Sequence, residues 1–262
     1  MRVLIMLVSL AALGCALAIL AAGPGSQMGW WDWRTGLNLI RQVSNPIEII
    51  EGKFSLSPIL TLGALSALGG LVLLFIRPRG LGVFALIAAL AAGGMVQIPL
   101  KMKAAYEANP PIHDITTDFD NPPQIVAGAS ADRINPPDYR GSDLVPGTDK
   151  TIADAQREAF PDIKSRRINA GLDESAEIVR EVIDDMNMEL LSATFVDDKW
   201  RIEATYKSRW FGFIDDFVVR LTPEGSMTRV DVRSKSRVGG SDLGANAARV
   251  RAFYEKLEAA TS

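Results

Sequence analysis

Cysteine and histidine are almost absent from this chain of 262 residues, which contains one of each, Cys15 and His113. A single cysteine cannot form an internal disulfide, and a single histidine nearly excludes a multi-histidine metal site or a His-based catalytic triad. A strong charge of either sign is also missing, because the net charge is only −3. The composition therefore gives no reason to expect nucleic acid as a partner.

Charge is wholly missing from three long apolar runs at residues 3–22, 57–76 and 81–100. About 20 apolar residues suffice to cross a hydrocarbon core, so the sequence predicts three transmembrane helices, the last two joined by a basic turn at 77–80. None of the three runs contains the acid, lysine or histidine that a proton or ion pathway would need. The predicted role of these helices is to anchor the protein.

Loop charge predicts the orientation. Arg2, with Arg77 and Arg79 in the short turn, favours placing those two ends inside the cell. Three crossings then place the C-terminal half outside, in the periplasm, with the anchor in the inner membrane of a bacterium. Residues 1–22 also have features of a signal peptide, and that alternative likewise leaves the C-terminal half outside.

Composition divides the chain into five parts. These are a first transmembrane helix (1–22), an interfacial loop with a tryptophan cluster (23–56), a transmembrane hairpin (57–100), a proline-rich linker (101–150) and a soluble domain (151–262). Paired prolines predict that the linker is an extended, semi-rigid tether. A metal site can be drawn within it from His113, Asp114, Asp118 and Asp120, but no regular element fixes their geometry, so turn capping is preferred. No metal or cofactor is predicted.

The soluble domain is organised around strict alternation between Trp200 and Trp210, which predicts a long half-buried strand over 200–213. Further strands are predicted at 162–169, 189–195, 216–221 and 228–238. One helix is predicted to open at Asp173, and a final helix is predicted to be capped by Ser241. The predicted fold class is α+β: three transmembrane helices followed by a two-layer sandwich, in which two helices pack on an antiparallel sheet of four to five strands.

Alternation also gathers cations on the predicted solvent face of the sheet. They are Arg201, Lys207, Arg209, Arg220, Arg229, Arg233, Lys235 and Arg237. A solvated, charge-paired surface is the plain interpretation. The functional interpretation is a surface for anionic lipid headgroups or an acidic partner.

Two segments, RWFGFIDD at 209–216 and RSKSRVGGSDLGANAARVR at 233–251, resemble the family called domain of unknown function 1499. HDITTD at 113–118, with Pro122 and Pro123, is similar to the start of its bacterial, membrane-anchored members. The resemblance covers about 111–257. It implies a domain that is often anchored or exported, with no established activity and no catalytic residue.

Little in the domain resembles a catalytic site. Asp215 and Asp216 are adjacent, so on a strand they face opposite ways and would rarely act together as acid and base. The loop at 239–244 opens a helix as phosphate loops do, but it lacks their lysine, and Asp242 would repel an anion, so helix capping is preferred. Trp210 is predicted to lie in the core, with an apolar cleft as the alternative.

The predicted function is a membrane-anchored, non-catalytic envelope protein whose exported domain binds a protein partner or an anionic membrane surface in an assembly or scaffolding role. A lipid-binding or small apolar ligand-binding domain is the alternative, and a hydrolase-type enzyme is the third hypothesis. The candidate contact residues are Trp210, Arg220, Arg233, Arg237, Asp242, Asn246 and Arg249.

Overall fold

A computed structural model describes residues 1–50, 54–76 and 79–261, which form two compact units. The helical unit contains Met1–Ala104 together with Arg209–Gly212, and the sheet unit contains the remaining described residues. The predicted basic turn at 77–80 falls partly outside the described residues, because Arg77 and Pro78 are not among them.

The helical unit consists mainly of helices. Its elements are α1 (Arg2–Gln27), α2 (Trp33–Ser44), the paired strands β1 (Ile47–Ile50) and β2 (Phe54–Leu56), α3 (Pro58–Leu74), α4 (Arg79–Met95) and α5 (Gln97–Ala108), which continues into the sheet unit. The segment predicted as an interfacial loop therefore contains a regular helix. That helix begins where the Asp32 carboxylate accepts the amide of Thr35 at 2.9 Å, which makes Asp32 its N-cap.

Two helical stretches among the described residues are long and apolar enough to cross a membrane, Arg2–Gln27 and Arg79–Ala108. The third predicted span corresponds to α3, a shorter apolar helix of 17 residues. Of the three predicted transmembrane helices, only two therefore correspond to a helical stretch of sufficient length among the described residues.

The buried residues of α1, α3 and α4 are mostly small, whereas many large apolar side chains point outward. The buried set includes Ser9, Ala12, Ala16, Gly63, Ser66, Gly70, Gly82, Ala85, Ala88 and Ala92. The exposed set includes Val3, Leu4, Leu7, Leu17, Leu20, Leu65, Leu68, Val83, Ile87 and Leu90. At the centre of the bundle, the Ser66 hydroxyl lies 2.8 Å from both the Ser9 hydroxyl and the Ala85 carbonyl oxygen.

The sheet unit is α+β with an antiparallel six-stranded sheet. Its elements are β3 (Asp114–Thr116), α6 (Ile152–Ala159), β4 (Arg166–Ile168), α7 (Leu172–Asp185), β5 (Glu189–Val196), β6 (Lys199–Lys207), β7 (Ile214–Glu224), β8 (Met227–Ser236) and α8 (Ala245–Ala260). The strand order is β3-β8-β7-β6-β5, and β4 also pairs with β8. Helices α7 and α8 pack on one face of the sheet around a core that includes Val179, Phe217 and Phe253. This confirms the predicted α+β class with an antiparallel sheet, but the sheet has six strands where four to five were predicted, because β3 comes from the segment predicted to be a linker.

The prediction of an extended tether is wrong for much of 101–150. Asp114–Thr116 pairs with β8, and Ile112 and Ile115 are buried in the core of the sheet unit. The side chain of Gln156 in α6 bonds both the amide (3.1 Å) and the carbonyl (2.6 Å) of Thr116, which caps the outer edge of β3. A three-residue strand has too little local pattern to be recognised, because only its pairing with β8 makes it a strand.

The long strand predicted at 200–213 ends earlier than expected. Strand β6 stops at Lys207 and is followed by a tight loop. The Ser208 amide donates to the Phe213 carbonyl at 2.8 Å, and the Phe213 amide donates to the Ser208 hydroxyl at 2.9 Å. Gly212 adopts a φ of 70°, which glycine accepts without the steric cost that other residues incur. The alternation continues to Trp210 in the sequence, so periodicity alone hides this turn.

Candidate functional site on the two faces of strand β8

Alternation along β8 sends charged and small polar side chains to opposite faces of the sheet. Arg233, Lys235 and Arg237 point to one side, here called the charged face. Ser234 and Ser236 point to the other side, where α8 packs, here called the helix face. All of these side chains are hydrogen-bonded, so the motif RSKSR builds two polar networks at once.

Asp114 is the centre of the charged face. Its carboxylate accepts two hydrogen bonds from Arg233, at 2.9 and 2.8 Å, and one from the Lys235 ammonium at 2.8 Å. Arg233 and Lys235 are each only 2% exposed. A bidentate arginine–carboxylate pair is among the stronger contacts that a protein can make, and here it is fully buried.

A proline-rich covering segment, residues 118–141, lies over the charged face. Its two Asn-Pro-Pro sequences each present the carbonyl of the second proline to Arg233, at 3.2 Å for Pro123 and 2.9 Å for Pro137. The Asp138 carbonyl accepts from Lys235 at 2.9 Å. The prolines that suggested a tether therefore supply fixed acceptors for buried cations.

The same segment also binds an acid of the sheet. The amides of Val126, Ala127 and Gly128 all donate to one oxygen of Glu203, at 2.9, 2.9 and 3.3 Å. Three convergent amides form an anion-binding concavity, filled here by a side chain of the protein itself.

The prediction of an exposed basic face is wrong, because most of its cations are covered and paired. Arg220 contacts both Asp118 and Asp231 at 2.8 Å, and Arg237 contacts Asp216 at 2.7 Å. Arg229 pairs with the same two acids as Arg220, and Arg201 pairs with Glu203. Strand periodicity identified which residues share a face, but not that a distant segment would cover it. The predicted contact residues Arg220, Arg233 and Arg237 therefore bind groups within the sheet unit.

The remaining candidates near α8 form the second network. The amide group of Asn246 bonds the hydroxyls of Ser234 (2.6 Å) and Ser236 (3.0 Å), and the Arg249 guanidinium bonds Ser234 (2.9 Å) and Asp215 (2.7 Å). The guanidinium also stacks on the Tyr206 ring at 4.3 Å. These groups fasten the first turns of α8 to the sheet, in addition to the apolar packing of Val250 and Phe253.

The loop at 239–244 opens α8, as predicted, but the predicted cap, Ser241, is not at the N-cap position, which is Gly244. Asp242 supplies the capping carboxylate instead. Its carboxylate accepts the amides of Gly244 (2.8 Å) and Asn246 (2.9 Å) ahead of a helix that begins at Ala245. Gly244 has a φ of 83°, which delays the helix by several residues relative to the prediction.

Trp210 lies in the helical unit and not in the core of the sheet unit. The Gln27 side-chain amide donates to the carbonyls of Arg209 (2.8 Å) and Trp210 (2.6 Å). Gly23 in α1 leaves the necessary space, because a Cβ there would lie 2.5 Å from the Trp210 carbonyl oxygen. The core assignment was wrong because the alternation that includes Trp210 ends before it in the structure.

Burial and charge pairing oppose each other at the charged face. Burial disfavours ionisation of Asp114, yet Arg233 and Lys235 outweigh it and hold the pKa of Asp114 below its usual value. Burial lowers the pKa of Lys235 more than Asp114 raises it. Near α8, burial raises the pKa of Asp242, and burial together with Lys235 lowers the pKa of His113.

No group of three or more potential metal ligands occurs among the described residues, and His113, Asp114, Asp118 and Asp120 do not converge on one point. A wide-mouthed cavity of about 440 Å³ lies in the sheet unit, beside the Pro110–Pro111 turn and α6. Its lining includes Ala108, Val145, Ala155 and Ala159, with Glu107, Lys150 and Glu158 among the polar groups.

These features define an antiparallel α+β domain with helices on one face of the sheet and a proline-rich segment on the other. Residues 114–257, from the first residue of β3 into α8, match the family model described as Protein of unknown function (DUF1499). The match spans more than half of the chain, and the chain belongs to this family, as the resemblance predicted.

Comparison with curated proteins gave no match. Among solved structures, the vertebrate conserved region (VCR) of human METTL16 is similar over 41% of this chain and 86% of that chain, with 10% identity and a TM-score of 0.29. A likeness this distant carries no argument about function.

Proposed function

We propose that this protein is a bacterial inner-membrane protein in which α1, α3 and α4 cross the bilayer and carry an exported, non-catalytic domain. The domain would bind a protein partner or an anionic membrane surface in an assembly or scaffolding role in the envelope. One observation carries the membrane part of this proposal: the inverted arrangement of small and large residues in the helical unit.

In water, large apolar side chains pack inward because their burial is the main stabilising term. In lipid they gain nothing by facing inward, and small residues let helices approach closely. The bundle follows the second pattern, with Leu68 at 63% and Leu90 at 76% exposure while Gly63, Ala85 and Ala88 are buried. A hydroxyl cluster such as Ser9–Ser66 also suits helix contacts in lipid.

Helix α3 is short for a membrane span. Its 17 residues rise about 25 Å, somewhat less than a hydrocarbon core of about 30 Å. Local thinning of the bilayer accommodates a mismatch of this size at modest cost. Three crossings are therefore consistent with its length.

Support for a protein partner comes from the bare edge of the sheet at β5. Leu190, Leu191, Phe195 and Val196 are 39–50% exposed, and residues 190–196 contain neither charge nor proline, the usual protections of an edge strand. The opposite edge is capped by Gln156. We expect an extended segment of the partner to pair with β5, as peptides do when they add a strand to a sheet.

Cysteine labelling tests the membrane topology, because Cys15 is the single cysteine of the chain. In a Cys15→Ser background, Lys164→Cys in the sheet unit should react with an impermeant maleimide in spheroplasts. Gly80→Cys, beside the turn between α3 and α4, should react only after lysis. Labelling of both sites before lysis, or release of the protein by alkaline carbonate, would refute the membrane part of the proposal.

Charge insertion tests the partner surface. Leu191→Lys places a cation on the β5 edge, and Leu144→Lys places one at another exposed leucine of the sheet unit. The edge variant should lower the mass of the detergent-extracted complex in native mass spectrometry, whereas the control should not. If both variants retain the parent mass, β5 is not the partner surface.

The cavity favours a second candidate function, binding of a small apolar ligand. Its volume falls in the range of ligand pockets, and alanine, proline and valine make up much of its lining. A bulky Ala159→Trp substitution should then abolish the mass of a co-purified ligand without unfolding the domain. An unchanged adduct would exclude this site.

A further inference from the structure

The three apolar helices are aligned so that their ends can be assigned to two levels. Ser66 of α3 meets Ser9 of α1 and Ala85 of α4 at the same height. A Cβ on Gly69 of α3 would meet the Ile5 side chain of α1, and one on Gly63 would meet Ala92 of α4. Helices α1 and α4 are therefore parallel to each other and antiparallel to α3.

Charged residues mark both levels. Arg2 and Arg79 begin α1 and α4 at one end. At the other end, α5 continues the direction of α4 and carries Lys101. In the helical stretch Arg79–Ala108, where Val96 separates α4 from α5, residues 79 and 101 are about 33 Å apart, close to the thickness of a hydrocarbon core. The two cationic levels therefore coincide with the expected positions of the two headgroup layers.

The level at the end of α1 carries more than Lys101. Helix α2 packs against the end of α1: a Cβ on Gly36 would lie 2.6 Å from the Ala22 carbonyl oxygen, and the Trp31 indole just before α2 donates to the same oxygen at 3.0 Å. Exposed cations of α2 are Arg34, which stacks on the Trp33 ring at 4.5 Å, and Arg41. We call Trp30, Trp33, Arg34, Arg41 and Lys101 the collar. Trp30 is 66% exposed, so an amphipathic ring also faces outward at this level.

Cations of the collar have no carboxylate partner within ion-pair distance in the described part of the helical unit, unlike those of the charged face. Asp32 is the acid nearest to Arg34 along the chain, and its carboxylate is engaged by the amide and hydroxyl of Thr35 at 2.9 and 3.1 Å. Residues 28–44 and 97–108, which include α2 and α5, together hold four cationic and two acidic residues. The collar thus keeps a positive surplus that solvent or a ligand must balance.

We propose that the collar binds the phosphate groups of anionic phospholipids in the leaflet facing the α1 C-terminus. Tryptophan favours the boundary between hydrocarbon and headgroups, and arginine or lysine beside it extends to the phosphate layer. The sequence predicted that the basic face of the sheet binds headgroups, but that face is covered. The proposal therefore assigns headgroup binding to the helical unit. This inference rests on the proposed membrane insertion and adds the lipid class that the helical unit recognises.

Native mass spectrometry of the full-length protein from nanodiscs of equimolar phosphatidylglycerol and phosphatidylcholine with matched chains tests the collar. The parent should retain the anionic lipid in several-fold excess. About 1 kcal/mol per basic residue near an anionic surface corresponds to about fivefold for each cation in low salt, so removal of all three should abolish the excess. The variant is Arg34→Gln with Arg41→Gln and Lys101→Gln.

A matched control replaces three exposed cations of the sheet unit, Arg140→Gln with Lys164→Gln and Lys256→Gln, and should keep the parental preference. Equal retention of both lipids by the parent, or equal loss in the control, would overturn the collar. Carbonate extraction of the same membranes separates the two proposals. A protein that stays in the membrane without lipid preference refutes only the collar, whereas a released protein refutes membrane insertion itself.

Discussion

Asp114 neutralises two cations that are almost wholly removed from solvent, so its replacement has a predictable cost. Asp114→Asn leaves Arg233 and Lys235 buried without their carboxylate. Breaking one side of a buried ion pair typically costs about 3–5 kcal/mol, because the remaining charge loses its compensation. Urea unfolding of the full-length protein, followed by hydrogen exchange at β3 and β8, should report a loss of this size.

Asp120→Asn provides the control for that substitution. Asp120 is exposed and lies in the same stretch of chain, so the same chemical change should leave the stability of the sheet unit within about 0.5 kcal/mol of the parent. Similar losses of unfolding free energy in the two variants would show that the ion pairs of Asp114 do not stabilise the charged face.

The pKa of Asp118 supports a prediction about acid stability. Burial raises this pKa, but the Asn121 amide, Arg220 and Arg229 lower it more, so the net shift is below the ordinary value of 3.8. The folded protein therefore binds this proton less tightly than the unfolded chain. The resulting stabilisation is fully present above pH 3.8, the ordinary pKa, and is lost as the pH falls through the lower pKa of Asp118 in the folded protein.

Unfolding free energies measured between pH 6 and pH 2 should decline below pH 4, and Asp118→Asn should make that decline less steep. An identical slope in parent and variant would contradict a lowered pKa in the folded state. Measurement at high salt adds a check, since Asp118 is partly screened by solvent.

Among the helices, α1 depends on a glycine at one position. Gly23→Ala brings a Cβ against the Trp210 carbonyl, whereas Gly14→Ala meets nothing within 4 Å. Both changes raise intrinsic helix propensity by about 1 kcal/mol, so any difference between them reflects the contact. Faster hydrogen exchange over residues 208–213 is expected in the first variant alone. Equal exchange in both would show that Trp210 is not seated against α1.

Elements with strong local periodicity could be predicted from the sequence, and elements defined by distant partners could not. The alternation from Trp200 onward placed β6, and the acids after Gly171 placed the start of α7. Strand β3 was missed because three residues carry no period, and its partner β8 lies more than a hundred positions away. The positions of Arg220, Arg233 and Arg237 on a common face were predictable, but the segment that covers them was not.

The sheet unit as a whole requires residues well before position 151, where the sequence predicted its domain to begin. A chain comprising 105–262 retains Asp114 and the covering segment, whereas 151–262 exposes Arg233, Lys235 and Glu203 without their partners. We expect the longer chain to give a cooperative thermal transition and the shorter one to give none. Replacing Trp210 and Phe211 with serine in both chains removes apolar side chains that belong to the helical unit.

Circular dichroism distinguishes the outcomes, because the shorter chain should lose most of its sheet signal. A folded 151–262 chain would show that the charged face tolerates solvent in place of its cover. The opposite result for 105–262, a chain without a transition, would mean that the sheet unit needs the helical unit in order to fold.

The alternation of β8 also limits what its neighbours can do. A slip of one residue in its pairing would turn Arg233, Lys235 and Arg237 toward Val250 and Phe253, and would leave Ser234 and Ser236 facing the Asn-Pro-Pro carbonyls. Both faces would then be wrong together, so no partial compensation is available. Because β3, β4 and β7 all pair with β8, the position of this strand determines the register of its three neighbours.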